Sequence, residues 1–188
     1  MWSPNNKKTN LHKFINQLDK SLNITNYADL HNWSIKHKNE FWTNVWDFTN
    51  FVGEKKGKIF KSAPEFTKNK FFDECKINYA ENCLTRDDDD DAIIFHSEKK
   101  IKRNYSWREL KSAVLKFANY LKNNNIKKND RIAAILPNIP ETVISFLSSA
   151  QLGAIWSSCS SDFGKKAIID RFKPVSYTHL TLPTMWYV

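Results

Sequence analysis

A chain of 188 residues, 41% hydrophobic and 14% aromatic, is long enough to bury an ordinary core and too apolar for a disordered protein. It has no run of 18 uncharged apolar residues, and its first eight residues are polar, so neither a transmembrane helix nor a secretory leader is expected and a cytoplasmic location is. The net charge is +9, and only 4 glycines occur, which disfavours a glycine-rich phosphate cradle.

In chain order, Thr9 is placed to cap a short helix with Leu11, Phe14, Ile15 and Leu18 on one face. A second helix is predicted from Tyr27 to His37, with Leu30, Trp33 and Ile35 inward. A third carries Phe41, Trp42, Val45, Trp46, Phe48 and Val52 within less than half of a helical wheel, which makes these aromatics a core stripe rather than a base-stacking platform. The lysine-rich stretch from Gly53 to Asn69 reads as a surface loop, and Ile77–Leu84 as one or two helical turns. Asp87–Asp91 is a run of five carboxylates without the glycine and spaced ligands of an EF-hand, so a solvated loop is expected.

After residue 91 the pattern changes, and the whole positive excess falls there. Abundant lysine and asparagine fit an AT-rich genome; an anionic partner, such as a nucleotide, a coenzyme or nucleic acid, is the functional alternative. Ala92–His96 and Ile101–Tyr105 read as a hairpin. Ser106-Trp107-Arg108-Glu109 is a capping box opening a helix with Leu110, Val114, Phe117, Ala118 and Leu121 inward, stopped by Asn123-Asn124-Asn125. Arg131–Leu136 reads as a buried strand ended by Pro137. Pro140 suits the first turn of the next helix, whose stripe is Val143, Phe146, Leu147 and Ala150, with Gly153 beyond its end. Ala154–Ser158 is a further strand, and Ser160-Ser161-Asp162 are placed to cap a helix over Phe163–Phe172.

Alternating strand and helix implies a parallel sheet with helical crossovers, whose ligands bind beyond the carboxyl ends of the strands. Two loops qualify, Pro137–Glu141 and Ser157–Gly164, although an ordinary strand-to-helix turn accounts for the same residues. Cys75, Cys83 and Cys159 form no CxxC pair, and none of His12, His31, His37, His96 and His179 lies at ligand spacing from another, so no metal site is expected.

Three blocks together resemble the acetoacetyl-CoA synthetases (acetoacetate–CoA ligases), a branch of the adenylate-forming enzymes. They are Asp29-Leu30-His31-Asn32-Trp33-Ser34 with Glu40-Phe41-Trp42; Ile77-Asn78-Tyr79-Ala80-Glu81-Asn82-Cys83-Leu84; and Leu136-Pro137-Asn138-Ile139-Pro140-Glu141 with Leu152–Gly164 and Asp170-Arg171-Phe172. The stretch Trp156-Ser157-Ser158-Cys159-Ser160-Ser161-Asp162-Phe163-Gly164 is the most specific, with Ser161 where the family usually has proline.

The resemblance implies an α/β fold: an N-terminal helical cap over 1–91, then the start of a βαβ parallel-sheet subdomain over 92–173, as the front portion of a much longer enzyme. Residues 174–188 match nothing in the family and read as a non-native tail, or, if genuine, as a segment prone to pair with other chains. It implies ligation of acetoacetate to coenzyme A with ATP and Mg²⁺, through parts that would lie downstream, so this stretch alone is expected to be inactive. Another short-chain acyl-CoA synthetase, or a basic nucleic-acid-binding module, is the alternative; on the leading reading neither nucleic acid nor a membrane is a partner. By the resemblance, Ser160, Ser161, Asp162, Phe163 and Gly164 lie near the coenzyme A tunnel, with Gly164 permitting close backbone approach. Asn78, Tyr79 and Glu81 read as a helix cap with packing, and no catalytic residue is assigned.

Overall fold

The computed structural model describes residues 9–98 and 101–173, together with the backbone of 179–181. The chain divides into two compact units, 1–77 and 78–188.

In the first unit, α1 (Asn10–Gln17) is capped by Thr9, whose hydroxyl accepts from the His12 amide. α2 (Tyr27–Lys36) is capped by Asn26, and α3 (Lys38–Phe48) follows after His37. Phe14, Leu18, Leu30 and Trp33 form the buried centre, with Phe41, Val45 and Phe48 packed against it. The edge-on contacts of Phe14 with Phe41 and Phe48 are the aromatic geometry that favours a packed core. Leu11 and Ile35 are exposed, contrary to the inward positions expected of them, and Val52 lies beyond the end of α3. Two-residue strands β1 (Phe60–Lys61) and β2 (Lys70–Phe71) pair antiparallel inside the lysine-rich stretch.

The second unit opens on α4 (Tyr79–Cys83). Ala80 and Leu84 join Leu110, Val114, Ile144 and Leu147 in one core. β3 (Asp91–His96) and β4 (Lys102–Ser106) pair antiparallel as a sheet of their own, outside the parallel one that the alternating pattern implied. α5 (Trp107–Asn123) starts on the expected capping box: the Ser106 hydroxyl accepts from the Glu109 amide, and the Glu109 carboxylate accepts from the Ser106 amide at 2.8 Å.

β5 (Arg131–Ile135) and β6 (Ile155–Cys159) run parallel, with Ile132, Ala133 and Ala134 buried. Between them α6 (Pro140–Gln151) begins on Pro140 and ends where Gly153 (φ +71°) lets its own amide and that of Ala154 reach the Ala150 and Ser149 carbonyls, both at 3.0 Å. The buried face of α6 includes Ser145, Ser148 and Ser149, while Val143 is exposed. An apolar stripe misses these serines because Ser148 and Ser149 donate to carbonyls one turn back, on Ile144 and Ser145, and enter the core with their hydroxyls satisfied. α7 (Lys165–Phe172) follows β6, and β7 (His179–Thr181) runs parallel to β5 on its other side, giving the order β6–β5–β7. The tail expected over 174–188 thus contributes one short strand; residues 174–178 and 182–188 lie outside the described residues. Among the described residues no helix is long and apolar enough to cross a membrane.

Candidate functional site

The parallel register of β5 and β6 pairs Ile135 with Cys159, so the two following loops leave the same end of the sheet. The Leu136 amide, donating to the Cys159 carbonyl at 3.1 Å, ties their first residues together. This is the carboxyl end, where open α/β sheets take their ligands.

The first loop is folded tightly. The Ile139 amide reaches back to the Pro137 carbonyl at 3.0 Å, and the Thr142 hydroxyl donates to the same oxygen at 2.7 Å. Glu141, in the first turn of α6, turns its carboxylate to Arg103 of β4 in a two-pronged ion pair, Nη2 to Oε2 at 3.0 Å. Burial is the largest single effect and raises the carboxyl, but the Arg103 guanidinium and Glu141's own amide together hold it below its usual range. The guanidinium itself stands over the Phe95 ring, 5.2 Å from its centre. Neither Arg103 nor Thr142 was legible as a partner, because the first lies 38 positions from Glu141 in sequence and threonine has no marker for such a bond.

The second loop holds all five candidate residues, and all five are exposed. The Ser160 hydroxyl hydrogen-bonds Asp162, which with Asp162's own amide keeps that carboxyl below its ordinary value. Asp162 forms no cap bond to α7, contrary to expectation. The helix starts two residues later than predicted, at Lys165, with Gly164 at the cap position and no side-chain cap bond. The first amides of α7 are thus left to other partners. Phe163 is 46% exposed. Gly164 has an ordinary φ of −64°, and a Cβ there would meet nothing within 4 Å, so the fold does not itself require glycine.

Of the other residues singled out, Asn78 caps α4 by accepting from the Glu81 amide at 3.1 Å. Its side-chain amide donates to the Ala150 and Gln151 carbonyls at 3.0 and 3.1 Å, joining α4 to the end of α6. Tyr79 lies beside Phe146, and the Cys83 thiol next to it pushes its phenol up. The aspartate run is engaged by cations: Arg86 grips Asp88 and Asp90, Arg108 meets Asp87 and Asp89, and Lys111 meets Asp87.

Comparison with known proteins gives this edge a context. The family model described as AMP-binding enzyme matches residues 80–180. The chain is 37% identical to acetoacetyl-coenzyme A synthetase of Rhizobium meliloti (strain 1021) over 81% of its own length and 24% of that protein. It is 35% identical to acetoacetyl-CoA synthetase of Xenopus tropicalis over 93% of its length and 27% of that protein. In three dimensions it matches acetoacetyl-CoA synthetase from Streptomyces lividans with a TM-score of 0.83 at 27% identity, over 94% of this chain and 28% of that one. The chain therefore spans about a quarter of the length of the curated relatives it matches. With both loops at the ligand end of a parallel sheet and the family model covering them, the chain belongs to the AMP-binding enzyme family.

Proposed function

We propose that these residues are the front portion of an ATP-dependent acetoacetate–CoA ligase, which converts acetoacetate, ATP and coenzyme A to acetoacetyl-CoA, AMP and diphosphate in the cytoplasm. The observation that carries this reading is the likeness to acetoacetyl-CoA synthetases along nearly the whole chain, in sequence and in three dimensions alike. Forming the acyl-adenylate spreads negative charge over a transferring phosphoryl group, and Mg²⁺ with cationic side chains holds that charge. On this reading those groups lie outside the matched quarter, and no ligation is expected of these residues by themselves. Neither nucleic acid nor a membrane takes part.

What the chain contributes is one wall of the coenzyme A path, built from Ser160, Ser161, Asp162, Phe163 and Gly164. The geometry fits a pantetheine arm. The first amides of α7 have no side-chain cap and are available to a ligand carbonyl, the half-exposed Phe163 ring offers apolar contact, and the space beside Gly164 is open. Asp162 is already bonded by Ser160 and is not assigned as a base.

The reading is tested by following the gene past codon 173 and expressing the longer product. Continuation into a Ser/Thr/Gly-rich loop and acetoacetate-dependent formation of AMP and acetoacetyl-CoA support it. A product that prefers acetate makes it another short-chain acyl-CoA synthetase, and a stop codon at that point overturns it. In the longer product, Gly164→Val raises the KM for coenzyme A; unchanged kinetics remove the loop from the path.

A further inference from the structure

We propose that Glu141 is a positioning residue for the ligand end of the sheet: clasped by Arg103, it fixes the start of α6 and with it the Leu136–Pro140 turn, and touches no substrate itself. This rests on the reading that the second loop forms one wall of the coenzyme A path.

The sequence marks Glu141 as part of a candidate ligand loop, yet its side chain is only 13% exposed and both carboxylate oxygens face Arg103. Arg103 comes from β4, in the separate hairpin, and is steadied from below by Phe95 of β3. The clasp therefore joins two elements that no backbone ladder connects. On the α6 side the turn is bonded through Thr142, the residue after Glu141, to the Pro137 carbonyl. On the β6 side it is bonded through the Leu136 amide to Cys159, the residue before Ser160. Position thus passes from Arg103 through Glu141 and the turn to the root of the second loop. A guanidinium fork on a carboxylate fixes orientation as well as distance, which a single point charge does not. Lys116 is the cation that lines the cavity bordered by Glu141, whereas the carboxylate of Glu141 is paired with Arg103.

Amide hydrogen exchange of the 188-residue protein, resolved by residue, tests the clasp without needing ligase activity, so it fails or stands independently of the proposed reaction. Glu141→Gln is expected to speed exchange at Leu136 and Thr142 about tenfold while Ala118 in α5 stays within about twofold. Arg103→Lys, which keeps charge but loses the fork, gives an intermediate gain, and the exchanged pair Arg103→Glu with Glu141→Arg recovers at least half of the lost protection. Lys116→Met leaves both amides unchanged. Should Glu141→Gln fail to fold, the Arg103→Lys and exchanged-pair proteins carry the test. Unaltered exchange at Leu136 and Thr142, loosening of the same size at Ala118, or no recovery in the exchanged pair overturns the proposal.

Discussion

The Asn78 side chain makes three hydrogen bonds, and its replacement has a calculable cost. In Asn78→Ala the α4 cap is lost, worth about 1 kcal/mol. The two bonds to the end of α6 go as well, each worth about 0.5–1.5 kcal/mol. The carbonyls do not suffer equally: Ala150 keeps the Gly153 amide at 3.0 Å, whereas the bond from Asn78 at 3.1 Å is the one observed at Gln151. The expected total is therefore about 2–4 kcal/mol. Asn78→Asp separates the parts. It keeps the cap oxygen, removes the donor, and sets a carboxylate against the negative end of α6. Urea unfolding of the 188-residue chain, followed by far-UV circular dichroism, reads both. An Asn78→Ala loss below about 0.5 kcal/mol, or an Asn78→Asp protein as stable as the parent at pH 7, would refute the assignment of Asn78 as a joint between α4 and α6.

Other substitutions probe the same unit. Ser106→Ala removes half of the capping box and is expected to cost about 1 kcal/mol in urea unfolding. Gly153→Ala forces a side chain into φ +71° against Lys128 and should cost about 1–2 kcal/mol, whereas Gly164→Ala, at φ −64° in open space, should change stability by less than about 0.5 kcal/mol. Because Glu141 is held low by Arg103, its contribution is present above the unfolded carboxyl value near ~4.3 and is lost as pH falls through the lower folded value. Glu141→Gln should therefore flatten the acid limb of stability against pH, measured as urea midpoints.

Features set by neighbouring residues were legible in the sequence. The Ser106–Glu109 box, Pro140 at a helix start and Gly153 beyond a helix end each follow from a few adjacent side chains and stand where expected. The start of α7 was not, because Gly164 takes the cap position with no side-chain cap bond although capping residues stand just before it. The inward face of α6 escaped because serines that bond their own helix bury like small apolar residues, which a hydrophobic stripe cannot register. The hairpin β3–β4 satisfies the strand pattern without joining the parallel sheet, since alternation of elements does not say which strands pair. At the candidate site the sequence named both loops, but not the Arg103–Glu141 clasp, which depends on a pairing only the fold brings about.

On the proposed reading, this stretch builds the carboxyl end of a sheet but not the triphosphate chemistry of a ligase. The direct measurement is release of AMP from ATP by the purified 188-residue chain with Mg²⁺, coenzyme A and acetoacetate. No acetoacetate-dependent AMP above the protein-free control is expected; sustained, acetoacetate-dependent AMP formation would overturn that reading.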